Sequence, residues 1–254
     1  QMCIRDRAKT GSGKTLAFGI PMLSRMNGSA GPNAPLGLVL VPTRELAVQV
    51  AEVLQPVAAS AGITVAPVYG GASREHQVRD LQRGVELVVA TPLRLIDLIK
   101  SGEVDLGDVQ IVCLDEADRM ADDGFTPQVE WILRHCTGRS QTLLFSATLD
   151  GDVGPLIRPY LSDPIEVAID SATDTVGTMH HLFLAVHHMD KARVAGAISE
   201  TISKVVVFCQ TKRLCDKVEK ALIDDGVNAA AIHGDLSQGA RERALQRFAE
   251  GRLN

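Results

Sequence analysis

Aromatic side chains are scarce in this chain, at 4% of 254 residues with a single Trp. That scarcity excludes an extended platform for stacking nucleobases. Any nucleic acid would be gripped mainly through its backbone. The five cysteines are Cys3, Cys113, Cys136, Cys209 and Cys215. Their number is odd and no pair has C-x-x-C spacing, which argues against a disulfide framework and against a structural metal. Reduced thiols in a cytoplasmic protein are the expectation. Cys113 and Cys209 end apolar runs and are expected in the core. No apolar run approaches the ~18 residues of a membrane span, and no secretory signal is visible, so no membrane partner is expected. Positive charge is not in excess either. Lys and Arg number 26 against 31 Asp and Glu, a net charge of −5. A nucleic-acid partner would need a local basic groove rather than global attraction.

What is present is an alternation of short apolar runs and helical patterns. "LGLVLV" (36–41), "ELVVAT" (86–91), "VQIVCL" (109–114) and "QTLLFSA" (141–147) read as strands. They are nearly continuous in apolar residues, as in a parallel sheet covered on both faces. In 43–61, Leu46, Val50, Val53, Leu54 and Val57 fall on one helical face, and Thr43 is placed to cap that helix. The polar stretch 162–181 has no sustained period. It sets expected boundaries at 1–168 for a first domain, 169–181 for a linker and 182–254 for a second, partial domain. In that second domain, strands are expected at 182–186, 204–209 and 228–233. Helices are expected at 190–202, 212–224 and 238–250.

Two motifs carry chemistry. "AKTGSGKT" spans Ala8, Lys9, Thr10, Gly11, Ser12, Gly13, Lys14 and Thr15. Glycines let backbone amides approach phosphate oxygens without a Cβ clash, and the following helix N-terminus adds positive potential. Lys14 can reach the β- and γ-phosphates, and Thr15 can ligate Mg²⁺. The second motif, "VCLDEADR" (112–119), delivers Asp115 and Glu116 at the carboxyl end of an apolar strand, the edge where open α/β sheets bind ligands. Asp115 suits Mg²⁺, and Glu116 can orient or deprotonate an attacking water.

These motifs together resemble the DEAD-box family of ATP-dependent RNA helicases. The resemblance continues in family order through "PTREL" (42–46), "GG" (70–71), "TPLR" (91–94), "SAT" (146–148), "VFCQT" (207–211) and "HGDLSQ" (233–238). It runs from Ala8 to Gly251. The family's loop has the form AxTGxGKT, which accounts for Ala8 where the general phosphate loop has Gly. The resemblance implies an α/β fold: a P-loop, RecA-like parallel sheet followed by a partial second RecA-like domain. It implies ATP and Mg²⁺ as cofactors, served by Lys14, Thr15, Asp115 and Glu116. Ser146 and Thr148 would link the nucleotide state to strand separation, with Asp118 holding that contact. Thr43, Arg44, Gly71, Thr91 and Arg94 would line an RNA path, joined by Thr211 and Gly234 of the second domain. Leu93 stands where the family has Gly, which puts a side chain into the turn of "TPLR".

The resemblance also implies a glutamine-containing adenine reader upstream and an arginine-rich motif downstream. The chain is therefore expected to be an internal piece of a longer protein, not competent for turnover alone. Two other readings stay open: a different P-loop nucleic-acid translocase, and a catalytically silent RNA-binding module. Of the remaining features, the pairs His180–His181 and His187–His188 would point to opposite faces of a strand and suggest no metal. Arg74, Arg79 and Arg83 read as a solvated basic face. Gln238 and Arg241 sit at helical spacing, and His233 is placed for packing.

Overall fold

The computed structural model describes residues 2–7, 13–146, 161, 164–168 and 180–253. The chain divides into two compact units, 1–172 and 173–254. Most of the stretch expected as a linker, 169–179, lies outside the described residues.

The first unit contains strands β1 (Met2–Arg7), β2 (Gly37–Leu40), β3 (Val65–Val68), β4 (Leu87–Ala90), β5 (Ile111–Leu114), β6 (Gln141–Ser146) and β7 (Ile165–Ala168). They form one sheet in the order β3-β4-β2-β5-β6-β1-β7, and every pair is parallel. The described helices are α1 (Lys14–Arg25), α2 (Arg44–Ser60), α3 (Arg74–Gln82), α4 (Pro92–Lys100), α5 (Ala117–Asp122) and α6 (Thr126–His135).

The period of two in a strand sorts the apolar runs onto two faces. Leu38, Leu40, Val88, Ala90, Val112, Leu114 and Leu144 enter one core with Leu81 of α3, Leu95 of α4 and Ile132 of α6. Their neighbours Val39, Leu87, Val89, Ile111, Cys113, Leu143 and Phe145 enter the other with Phe18 of α1 and Val50 and Leu54 of α2. A Cβ on Gly19 would fall inside the Leu54 side chain, so this glycine permits the close approach of α1 to α2. Burying a side chain such as Leu54 stabilises by about 1.5–3 kcal/mol.

Several expectations need correction here. The face of α2 that is buried consists of Ala47, Val50, Ala51, Leu54 and Ala58, whereas Val53 is exposed. The small alanines of α2 are buried in the same core as Val50 and Leu54, and a count of large apolar residues passes over them. "MCIRDR", weak as a strand by composition, pairs with both β6 and β7. β3 and β7 were not expected. β3 is a four-residue run broken by Pro67, and β7 lies in the polar stretch after 162 with Ile165 and Val167 exposed.

The second unit has a 3₁₀ turn (His188–Asp190) and helices α7 (Lys191–Thr201), α8 (Lys212–Asp224) and α9 (Gln238–Ala249). All three helices fall where expected. The runs 182–186, 204–209 and 228–233 form no ladder among the described residues, so the strand assignment there is corrected. Phe183 and Phe208 are 92% and 94% exposed. A strand exists only through hydrogen bonds to a neighbouring backbone, which an apolar run does not itself supply.

Candidate active site

Because every pairing is parallel, the carboxyl ends of all strands share one edge. The chain leaves β1 for β2 across the places that β5 and β6 fill. That is the kind of crossover that opens a crevice at the carboxyl edge of an open α/β sheet. Strand order then sorts the candidate residues. Gly71, Thr91 with Arg94, and Thr43 with Arg44 follow β3, β4 and β2. Asp115 with Glu116 follows β5, Ser146 ends β6, and the loop 8–15 follows β1. With neighbouring strands about 4.8 Å apart, β5 and β1 stand about 10 Å apart.

On the β5–β6–β1 side, Ala8, Lys9, Thr10, Gly11, Ser12 and Thr148 lie outside the described residues. Gly13 has φ 83°, and its carbonyl accepts from the amides of Leu16 and Ala17 at 3.1 and 3.0 Å, starting α1. A side chain at this left-handed residue would cost about 1–2 kcal/mol. Lys14 and Thr15 are the first two residues of α1, with no acidic residue in that turn. The Asp115 amide donates to the Leu40 carbonyl at 3.0 Å, which ties the end of β5 to β2. Asp115 is 4% exposed, and its Oδ1 accepts from the Glu116 amide at 3.0 Å. Burial pushes its pKa up to about 6, while the Lys14 ammonium and the Glu116 amide pull it back and the Glu116 and Asp118 carboxylates raise it. A desolvated carboxylate with two acidic neighbours and the Lys14 ammonium nearby fits a hard divalent cation, whose charge would relieve that repulsion.

Glu116 has φ 51° and ψ 49°, a left-handed conformation that non-glycine residues adopt at a cost of about 1–2 kcal/mol. The bend turns the chain from β5 straight into α5. Residue type gave no signal for it, because Glu has no preference for this region. Its carboxylate lies 3.5 Å from Arg119 Nη1. Asp118 Oδ1 accepts from the Arg119 amide at 3.0 Å. Ser146 is fully buried.

The β3–β4–β2 side is built differently. Thr43 caps α2, its Oγ1 accepting from the Leu46 amide at 3.3 Å, as its position in the sequence foretold. Its hydroxyl hydrogen remains able to donate. The Arg44 guanidinium lies over Gly70, where a Cβ would come within 3.4 Å of it. Gly71 is exposed with φ 88°. Thr91 caps α4 by backbone geometry without a side-chain bond, and its amide donates to the Val68 carbonyl at 2.9 Å. Arg94 Nη1 donates to Gln77 Oε1 at 3.1 Å and to the Ala72 carbonyl at 3.5 Å. Gln77 Nε2 in turn donates to the Tyr69 carbonyl at 3.0 Å. Gln77 is the residue that sequence reasoning missed. It is a polar side chain, 7% exposed, at an otherwise apolar helix position. Leu93 lies in the first turn of α4 and is 55% exposed, so it restricts no turn: the backbone there is helical and asks for no glycine.

In the second unit, Thr211 caps α8 by accepting from the Leu214 amide at 3.2 Å. Exposed Gly234 packs against the Lys212 side chain, whose Nζ donates to Asp235 Oδ1 at 2.6 Å. His233 Nε2 lies 2.8 Å from Asp216 Oδ1, linking the segment after 233 to α8. Arg241 donates to Gln238 at 2.5 Å within α9. His187 and His188 stand with rings 4.3 Å apart at the start of the 3₁₀ turn rather than on opposite faces of a strand. Arg74 pairs with Glu103 at 2.5 Å and Arg83 with Asp80 at 3.5 Å, so the basic face of α3 is partly neutralised. Cys113 is buried, but Cys209 is only half-buried, a correction to its expected place in the core.

Known proteins share this fold and sequence. The family model described as DEAD/DEAH box helicase matches residues 4–154, and that described as helicase conserved C-terminal domain matches 190–254. The ATP-dependent RNA helicase DBP2 of Candida albicans is 41% identical over 97% of this chain and 46% of its own length. DBP2 of Vanderwaltozyma polyspora is 42% identical over 96% of this chain and 58% of its own length. The chain thus spans about half the length of the curated relatives it matches. Among solved structures, a DEAD box protein from Methanococcus jannaschii is similar with TM-score 0.61 at 32% identity, covering all of this chain and 68% of that one. A hypothetical ATP-dependent RNA helicase from Sulfolobus tokodaii gives TM-score 0.61 at 34% identity, over 98% and 71%. With a RecA-like parallel sheet and a family model that matches more than half of its length, the chain belongs to the DEAD/DEAH box helicase family.

Proposed function

We propose that the protein of which this chain is part is an ATP-dependent RNA helicase that couples ATP binding and hydrolysis to RNA binding and local duplex separation. The observation that carries this reading is the division of one sheet edge. A desolvated acid and the start of α1 with Lys14 and Thr15 stand on the β5–β6–β1 side, and arginines, hydroxyls and a bare glycine backbone stand on the β3–β4–β2 side. The first set suits a nucleotide with its cation. The second suits ribose and phosphate without base reading. A silent RNA-binding module would have no use for an acid held at this energetic cost.

In this reading residues 8–15 cradle the phosphates, and Lys14 neutralises charge on the β- and γ-oxygens. Thr15 and Asp115 hold Mg²⁺, which when bound screens the phosphate charge. Glu116 is the group that orients the attacking water and accepts its proton. Ser146, Thr148 and Asp118 relay the nucleotide state. Thr43, Arg44, Gly71, Thr91 and Arg94, with Thr211 and Gly234, hold the RNA backbone. A cytoplasmic location follows from the reduced-thiol expectation.

The test is steady-state ATP turnover by the full-length protein with single-stranded RNA or DNA of equal length, together with separation of a short RNA duplex. Stimulation by RNA and ATP-dependent duplex separation are expected. Stimulation by DNA alone would favour a translocase, and absence of turnover with intact nucleotide binding would favour a silent binding module.

A further inference from the structure

Cys209 and Cys215 are two thiols that neither the nucleotide nor the RNA reading uses. Thr211, the N-cap of α8, lies between them. Its Oγ1 accepts from the Leu214 amide at 3.2 Å and its carbonyl from the Cys215 amide at 3.0 Å, which fixes the path of the chain into the helix. Cys215 is thus the fourth residue of α8. Cys209 lies two residues before the N-cap, and both cysteines line one cavity of about 580 Å³ whose walls include Val205, Val207, Leu222 and Phe248. Both are free and half-buried, unlike Cys113 and Cys136, which are fully buried. The two thiols interact directly. Burial raises the Cys209 pKa first, and the charge of Cys215 and a hydrogen bond to it raise it further.

We propose that Cys209 and Cys215 form a reversible intramolecular disulfide, a redox-modification site whose oxidant is a low-molecular-weight disulfide such as oxidised glutathione. Cys215 is the attacking thiol, because burial raises the Cys209 pKa. The Cys215 thiolate attacks one sulfur of the glutathione disulfide. A protein–glutathione S–S bond forms, and the glutathione S–S bond breaks to release one thiolate. Cys209 then loses its proton to solvent and attacks the Cys215 sulfur, releasing the second glutathione thiolate. Two protein thiols are oxidised by two electrons and one glutathione disulfide is reduced to two thiols. The bridge encloses residues 210–214. It pins segment 205–209 to the first turn of α8 and holds Thr211 and Lys212 in place. A half-buried pair in a reduced compartment has the character of a transient, sensing disulfide rather than a structural one.

The test is equilibration of the protein in glutathione buffers of stepped oxidised-to-reduced ratio, followed by alkylation, tryptic digestion and mass spectrometry. Trypsin cuts after Lys212 and Arg213, so the bridge appears as two linked peptides, one ending at Lys212 and one at Lys217. The linked species is expected to rise with oxidised glutathione and vanish with excess reduced glutathione, while Cys113 and Cys136 are recovered as free thiols. Cys209→Ser and Cys215→Ser are each expected to abolish it, and Cys209→Ser to leave a glutathione adduct on Cys215. Separate adducts on both cysteines without a linked peptide would overturn the proposal. So would linkage mainly to Cys3 or between two chains, or no reaction of either thiol.

Discussion

On the β5–β6–β1 side of the sheet edge, the acid at the end of β5 is almost wholly buried and its pKa is raised to about 6. The next residue is left-handed. On the β3–β4–β2 side, the threonines cap helices and the arginines lie on neutral backbone and amide groups. The first side holds a carboxylate against burial and two acidic neighbours, an imbalance that a bound cation would relieve. The second holds its half-buried cations against neutral hydrogen-bond partners and backbone. The same fold position, a residue just past a parallel strand, therefore carries a strained buried acid on one side and arginines resting on neutral groups on the other. Each change below lies on only one side, and that one-sidedness is what they test.

The largest effect is expected for Lys14→Ala. Removing a charge-assisted contact to phosphate worth about 1.5–3 kcal/mol lowers nucleotide affinity at least about tenfold. RNA binding without nucleotide should not change. A nucleotide titration of the folded variant checks the first part and an RNA titration the second. Loss of both would break the division of the edge.

Asp115→Asn is expected to stabilise the metal-free protein while removing Mg²⁺-dependent turnover. The folded carboxyl titrates near 6 against an unfolded value near 3.8. The folded state therefore holds the proton more tightly. The penalty of ionisation is absent below about pH 4, grows up to about pH 6 and is constant above, at most ~3 kcal/mol. Urea unfolding in chelator should show a gain of about 1–3 kcal/mol at pH 7 that disappears near pH 4. A loss of stability at pH 7 would mean that the buried charge is already compensated.

Arg94→Ala is expected to weaken single-stranded RNA binding by about 3–10-fold and to reduce the salt slope by roughly 1. Nucleotide affinity should stay constant. Binding should remain indifferent to base sequence among RNAs of equal length. Strong variation with sequence would mean that the β3–β4–β2 side reads bases.

The smallest effect is expected for Leu93→Gly, the change toward the family's residue. Leu93 sits in a helical turn and is exposed. Glycine should cost about 0.5–1 kcal/mol in α4 and leave RNA affinity nearly unchanged. A marked gain in RNA affinity would show that the side chain obstructs the path.

The contrast between the two units explains what was legible in the sequence. In the first, the runs around Val39, Val89 and Cys113 alternate between two buried faces, so their apolar continuity marked a covered parallel sheet. In the second, the run ending at Cys209 reads the same way but has no ladder among the described residues, and Phe208 stands in solvent. Helices are recovered in both units because their hydrogen bonds are local. Strands depend on partners distant in sequence, as β1 depends on β6 and β7. Residue type and order picked out Asp115, Thr43 and Arg94, which the fold places just past β5, β2 and β4 on one sheet edge. The left-handed bend at Glu116 and the Gln77 support of Arg94 are tertiary features that no spacing announces.

The most direct measurement is ATP turnover by the full-length protein as a function of RNA concentration, wild type against a variant with Arg44 and Arg94 both changed to Ala. The account predicts an unchanged basal rate and KM for ATP, with half-maximal stimulation displaced to higher RNA concentration. A raised KM for ATP with unaltered RNA dependence would contradict it.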